Sequence, residues 1–89
     1  MVERSGNIEE TLAAREVQHG PFDKHAVIEF QLRGIVEEHN VHLSVIQTIG
    51  LGMILHKIAR ILNRGNQHSD TWHDIAGYAT LVEQSILDE

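Results

Sequence analysis

Asp70-Thr71-Trp72-His73-Asp74-Ile75-Ala76-Gly77-Tyr78 brings two carboxylates, a histidine and the only tryptophan and tyrosine of the chain into nine consecutive residues. Successive residues of an α-helix advance by about 100°, so Trp72, Ile75, Ala79, Val82 and Ile86 share one side while Asp70, His73, Asp74 and Gly77 share the other. The segment reads as an amphipathic helix with two faces in demand. Asp70 and Asp74 stand one turn apart, and like charges at that spacing repel unless a cation or a basic side chain sits over them.

The preceding segment supplies basic side chains. Lys57, Arg60 and Arg64 follow helical spacing, and no Asp or Glu occurs from Val41 to Ser69. The turn between Asn63 and Ser69 is short enough to fold the two helices back as an antiparallel hairpin, which carries Lys57 and Arg60 towards Asp70 and Asp74. This third helix is expected over residues 44 to 64, with Ser44 as N-cap and Gly65 as the stop. Every residue from Ile49 to Leu55 is apolar or glycine. That seven-residue run is too short to cross a bilayer and reads as a helix covered on several sides. Gly50 and Gly52 cost roughly 1 kcal/mol each relative to alanine, so close helix contact is the expected reason for them, with Gly34 and Gly77 cast in the same part.

Upstream, a first helix is expected over 7 to 16 with Asn7 as N-cap, after a frayed tail over 1 to 6. His19-Gly20-Pro21 interrupts it, and Pro21 can open a second helix running over 22 to 39. The apolar arc of that helix holds Phe22, Ala26, Ile28, Phe30, Leu32, Ile35 and Val36, but His25 and Glu29 fall inside it, one turn apart, and need partners there. The fourth helix is expected over 69 to 87, capped by Ser69 or Asp70. With no strand signal and no repeat, the fold class is all-α: a small four-helix bundle forming a single domain over 7 to 89. Helix three is apolar almost all round, so a homo-oligomer, most simply a two-fold dimer, is expected to complete it.

The composition narrows the function. At 89 residues and a net charge of -6, the chain lacks the clustered basic surface that phosphate-backbone binding needs, so nucleic acid is not an expected partner. There is no cysteine. Disulfides and thiolate metal sites are excluded, and with no signal-peptide pattern at the N-terminus the expected location is the cytoplasm, with no membrane partner. None of the seven histidines stands in a His-x-x-x-His pair, which argues against a zinc site. No phosphate-cradling glycine loop or nucleophile elbow occurs, and no residue is assigned a catalytic role.

Arg15 with His19-Gly20-Pro21-Phe22, then Lys57-Ile58-Ala59-Arg60-Ile61, then Asp70 to Ala79 line up in order. Together they resemble a family of small uncharacterised phage and prophage proteins that share a Lys-Ile-Ala-Arg helix and an Asp-Ile-Ala-Gly-Tyr-Ala motif, over residues 15 to about 83. More distantly, the chain is similar to the all-α nucleoside triphosphate pyrophosphohydrolases of the MazG-like group, which bind magnesium between a Glu-Glu-x-x-Glu helix and a Glu-x-x-Asp helix. Asp74, four residues before Tyr78, looks like the aspartate of the second motif. The chain departs from that pattern at Thr71, where the glutamate should stand, and it has no Glu-Glu-x-x-Glu.

Two readings of the charged residues follow. In the first, Asp70, Asp74 and Glu29 hold magnesium while Lys57 and Arg60 hold the phosphates of a bound nucleotide, as the MazG-like resemblance implies. In the second, Lys57 and Arg60 pair with Asp70 and Asp74 in an internal salt-bridge network that fixes the hairpin, with Asp70 also capping its helix. His25 with Glu29 has the same duality: a metal-ligand or acid-base pair, or a satisfied hydrogen bond at the edge of the core. For the whole molecule the alternatives are a magnesium-dependent nucleotide-binding or pyrophosphohydrolase-like protein and a non-catalytic phage accessory protein that binds a host protein through its oligomer surface.

Overall fold

The computed structural model describes residues 2–39, 41–64 and 68–88. They form four α-helices and no strand: α1 Val2–His19, α2 Phe22–His39, α3 Val45–Arg64 and α4 Ser69–Leu87. The all-α expectation holds, and the bounds of α2, α3 and α4 agree with the periodicity to within one residue. Helix α1 is longer at both ends than expected. Asn7 lies inside it rather than capping it, and its carbonyl accepts the Thr11 hydroxyl at 2.8 Å.

The helix ends show why the chain breaks where it does. Gly20 ends α1 in the left-handed region at φ 83°, its N–H donating to the Glu16 carbonyl at 2.8 Å. The Pro21 carbonyl accepts the first bond of α2, from the His25 N–H at 3.2 Å, so Pro21 precedes the helix instead of opening it. Ser44 is the expected N-cap of α3 and forms a reciprocal capping box, with Gln47 N–H donating to Ser44 Oγ at 3.1 Å and Ser44 N–H to Gln47 Oε1 at 3.0 Å. The Gly65 stop lies outside the described residues. For α4 the cap is His68, not Ser69 or Asp70. The helix starts at Ser69, so Ser69 and Asp70 lie past the cap, in its first turn, where a carboxylate still complements the helix dipole.

Helix α3 is the centre. Gly52 lies by Arg33, His56 by Glu29 and Asn63 by Pro21, so α2 runs antiparallel to it. Gly50 lies by Val82 and Lys57 by Asp74, so α4 is antiparallel as well. Gly50 and Gly52 are two residues apart, about 200° around the helix, which puts α4 and α2 on opposite sides of α3. The outer helices barely touch each other, and α1 touches α3 more lightly than they do. The result is a layer three helices wide. Over Val45–Asn63, α3 is long and apolar enough to cross a membrane, a longer stretch than the seven-residue run suggests; here α2 and α4 take two of its sides.

A layer has few inside positions, and several sequence expectations change accordingly. Leu55 and Ala59 are the only buried hydrophobic residues among those described. On α4, Val82 and Ile75 are half-buried, but Trp72, Ala79 and Ile86 stay exposed. On α2, Phe22, Ala26, Phe30 and Ile35 are exposed, and the line facing α3 includes His25 and Glu29. The glycines divide too. A Cβ at Gly50 would overlap Val82 Cγ2, and one at Gly52 would meet the Arg33 guanidinium at 3.2 Å, whereas Gly34 and Gly77 have nothing within 4 Å and take no part in close packing within the chain.

That division sets opposite signs for two substitutions. Gly34→Ala should stabilise by about 0.5 to 1 kcal/mol through helix propensity alone, while Gly50→Ala gains the same propensity but should lose about 1 to 3 kcal/mol to overpacking against Val82. Thermal melts that place Gly50→Ala level with or above Gly34→Ala would contradict the α3–α4 register.

Candidate metal centre

Helix α2 carries His25, Glu29 and Arg33 at successive four-residue steps, which stacks them along one line of the helix. That line faces α3. Glu29 Oε1 lies 2.8 Å from His25 Nε2 and 2.7 Å from His56 Nδ1, and the two ring nitrogens are 3.3 Å apart. Three potential ligand atoms thus form a small triangle. Among the described residues this is the only group of three or more histidine or acidic side chains with ligand atoms converging in this way. Bonds of about 2.0 to 2.2 Å to one ion place neighbouring ligands roughly 3 Å apart in octahedral and slightly more in tetrahedral geometry, which the triangle matches.

The surroundings hold the three groups in place. Arg33 donates from Nε to Glu29 Oε2 at 2.9 Å and from Nη2 to the Gly52 carbonyl at 3.3 Å, so it fixes the carboxylate and ties α2 to α3 at once. Phe22 stacks on the His25 ring with centroids 6.1 Å apart. His25 is buried, Glu29 nearly so, and the His56 side chain keeps 31% of its surface exposed, so the centre opens to solvent on the His56 side.

Burial alone would raise the Glu29 carboxyl, but hydrogen bonds from His25, Arg33 and His56 outweigh it and hold the group at about 2. For His56 desolvation prevails, and its proton affinity falls despite the attraction of Glu29. An ionised carboxylate beside a histidine biased to its neutral form is the protonation state that a metal needs.

Lys57, Arg60, Asp70 and Asp74 are distributed differently from the magnesium reading. Lys57 Nζ and Asp74 Oδ2 form an ion pair at 3.0 Å between α3 and α4. Asp70 is exposed and pairs with no described residue. Glu29 lies on the α2 side of α3 and Asp74 on the α4 side, so the two carboxylates are not brought together and Glu29, Asp70 and Asp74 do not form one site. Arg60 stands one helical turn beyond His56. Desolvation is the largest cause that lowers the proton affinity of His19, and Arg60, Lys57 and Arg15 add to it. The Nδ1 of His19 is buried without a hydrogen-bond partner.

The periodicity exposed His25 and Glu29 as polar groups needing partners, but not what the partners are. His56 is 31 residues from His25, and only the α2–α3 register joins them. Arg33 carried a readable signal, its four-residue spacing from Glu29. Asn63 carried none, yet its Nδ2 donates to the carbonyls of His19 and Pro21 at 2.9 Å each and fastens the α1–α2 turn to the end of α3.

Residues 9–86 match the family described as a domain of unknown function, DUF6378, and the chain belongs to that family. No curated protein and no solved structure matches the chain.

Two predictions follow from the ionisable groups. Unfolded His19 and His56 take up protons near 6.5 that the folded chain resists, and unfolded Glu29 protonates near 4.5 while the folded carboxyl holds out to about 2. Stability is therefore fully present above 6.5 and falls in two stages on acidification. In melts across pH 8 to about 3, Glu29→Gln should lack the lower stage; an unchanged profile in that variant would count against the assignment. Separately, the Asp74 side chain is 45% exposed, so Asp74→Asn should cost no more than about 1 kcal/mol in a denaturant titration, well short of a buried pair.

Proposed function

We propose that this member of the DUF6378 family binds one divalent first-row transition metal on His25, Glu29 and His56 and uses it to hold a phosphate-bearing small molecule, a nucleoside triphosphate being the best candidate. The carrying observation is the triangle of Nε2, Oε1 and Nδ1 at 2.7 to 3.3 Å. Two imidazoles and one carboxylate favour iron(II), manganese, cobalt or zinc over magnesium, which prefers oxygen ligands. With three protein ligands, an ion keeps positions open for water or for an anionic oxygen.

The cations supply the second half of the reading. Desolvation, Arg60 and Arg15 together lower the proton affinity of His19, so Arg60, one turn from His56, shares its surroundings with Arg15, a local excess of positive charge from two guanidiniums in a chain whose net charge is -6. A phosphate bridging the ion and this group would relieve that excess and leave its charge balanced on both sides. Lys57 is already engaged by Asp74 and serves chiefly to fix the α3–α4 pair. Of the two sequence readings, we take up the nucleotide-binding one in altered form, with histidines in place of Asp70 and Asp74 as ligands.

The test is a set of melting curves and metal analysis on wild type, His25→Ala and His56→Ala. Manganese, cobalt or zinc at well above its dissociation constant should raise the wild-type melting temperature by mass action, with one ion per chain, and magnesium should do much less. Both variants should lose the response, and adding a nucleoside triphosphate should raise the melting temperature further only when the metal is present. A wild type indifferent to all of these metals, or a response kept by both variants, would end the metal reading; a metal response with no nucleotide increment would end the nucleotide part alone.

A further inference from the structure

The surface of this chain is too large for its mass. Its accessible surface is 6981 Å² for 10.0 kDa, against about 5,200 Å² for a compact monomer of that mass. The radius of gyration is 15.8 Å, where about 12 Å is usual for this length. The excess, roughly 1,700 Å², lies in the range that one protomer of an obligate dimer buries.

Part of that excess has a definite place. On α3, Leu51 and Ile58 are seven residues apart; on α2, so are Ile28 and Ile35; on α4, Trp72, Ala79 and Ile86 repeat the same step twice. Seven residues is nearly two full turns, so each set forms a stripe along its helix. Because α2 and α4 both run antiparallel to α3 and flank it on opposite sides, the three stripes emerge on the same side of the layer, with Leu62 extending the middle one. Ile35, Leu62, Trp72 and Ile86 are between 46% and 60% exposed, and none of the stripes contains an ionisable residue. His56 is two residues before Ile58, about 200° around α3, and lies in the α2–α3 seam against His25 and Glu29, so the face and the metal centre are separate.

We propose that this face is the contact surface of a two-fold homodimer, in which two three-helix layers pack face to face. A second copy is the occupant for two reasons. Among the described residues only Leu55 and Ala59 are buried hydrophobics, a core thin against the conformational entropy of 89 residues, and a second copy is a covering partner present wherever the chain is. Two chains of charge -6 repel, and a face whose stripes carry no ionisable residue, with Asp23 and Lys24 beside Ile28 and Leu62 at its edge, is where they can meet. Ala79, small and central in the α4 stripe, lets the layers approach closely.

Trp72 is the only tryptophan and lies on the face, so its fluorescence reports the contact directly. Light scattering at micromolar concentration should give a particle of twice 10.0 kDa, with Trp72 emission shifted to the blue and shielded from iodide. Ile58→Glu and Ala79→Glu should give either a 10.0 kDa particle with exposed Trp72 emission or an unfolded chain, and the wild-type melting temperature should rise with protein concentration. His56→Ala should leave the dimer intact whatever it does to metal binding. A wild type that is monomeric with a concentration-independent melting temperature overturns the proposal, and leaves a different protein as the occupant of the face. A dimer that persists in both glutamate variants, or that leaves Trp72 open to iodide, overturns it equally.

Discussion

Every packed element of this chain depends on one helix. Helix α3 is the element that α1, α2 and α4 all touch, and the two larger contacts fall on its opposite sides. This arrangement requires two different surfaces on one cylinder. Towards α4 the surface is made by Gly50, which lets Val82 approach, and by Lys57, which meets Asp74. Towards α2 it is made by Gly52, Leu55, His56 and Ala59, against a line of side chains in which buried His25 and half-buried Glu29 stand among the half-buried Ile28, Leu32 and Val36.

The polar cluster within the α2–α3 seam is the unusual feature. Seams between helices are normally closed by apolar side chains, and a buried carboxylate is costly unless its oxygens are fully used. Glu29 is fully used: one oxygen lies against two imidazoles and the other accepts from Arg33, which itself reaches the backbone of α3 at Gly52. The same hydrogen bonds that make the carboxylate tolerable keep it ionised, and desolvation biases His56 to its neutral form. A structural solution to burying a charge and a group that could hold a metal ion are here the same arrangement of atoms. This connects the stability of the seam to any chemistry performed there.

The thin core and the broad apolar face also share a cause. With α2 and α4 apart, a three-helix layer has no interior beyond the contact lines of α3. Large hydrophobic residues placed by helical periodicity on the faces of the layer therefore remain outside the single chain, as Trp72, Leu62 and Phe30 do.

Periodicity, caps and breakers in the sequence determined the fold class, the number of helices and most of their ends. Ser44 with Gln47, and Gly20 before Pro21, act through bonds between near neighbours, and local chemistry of that kind is legible in a linear chain. The close approach at Gly50 and the pairing of Lys57 with Asp74 were also within reach, because a short turn fixes an antiparallel hairpin. What the sequence could not decide is which of several amphipathic faces turns inward. On α4 the apolar stripe divides, Val82 and Ile75 taking the α3 side and Trp72, Ala79 and Ile86 the open side. Nor could it join His25 and Glu29 to His56, since a register between two helices sets that distance and no local spacing records it. Tertiary structure decided both, because helix rotation and register are fixed by the sum of many small contacts along α3 rather than by any residue pair close in the chain.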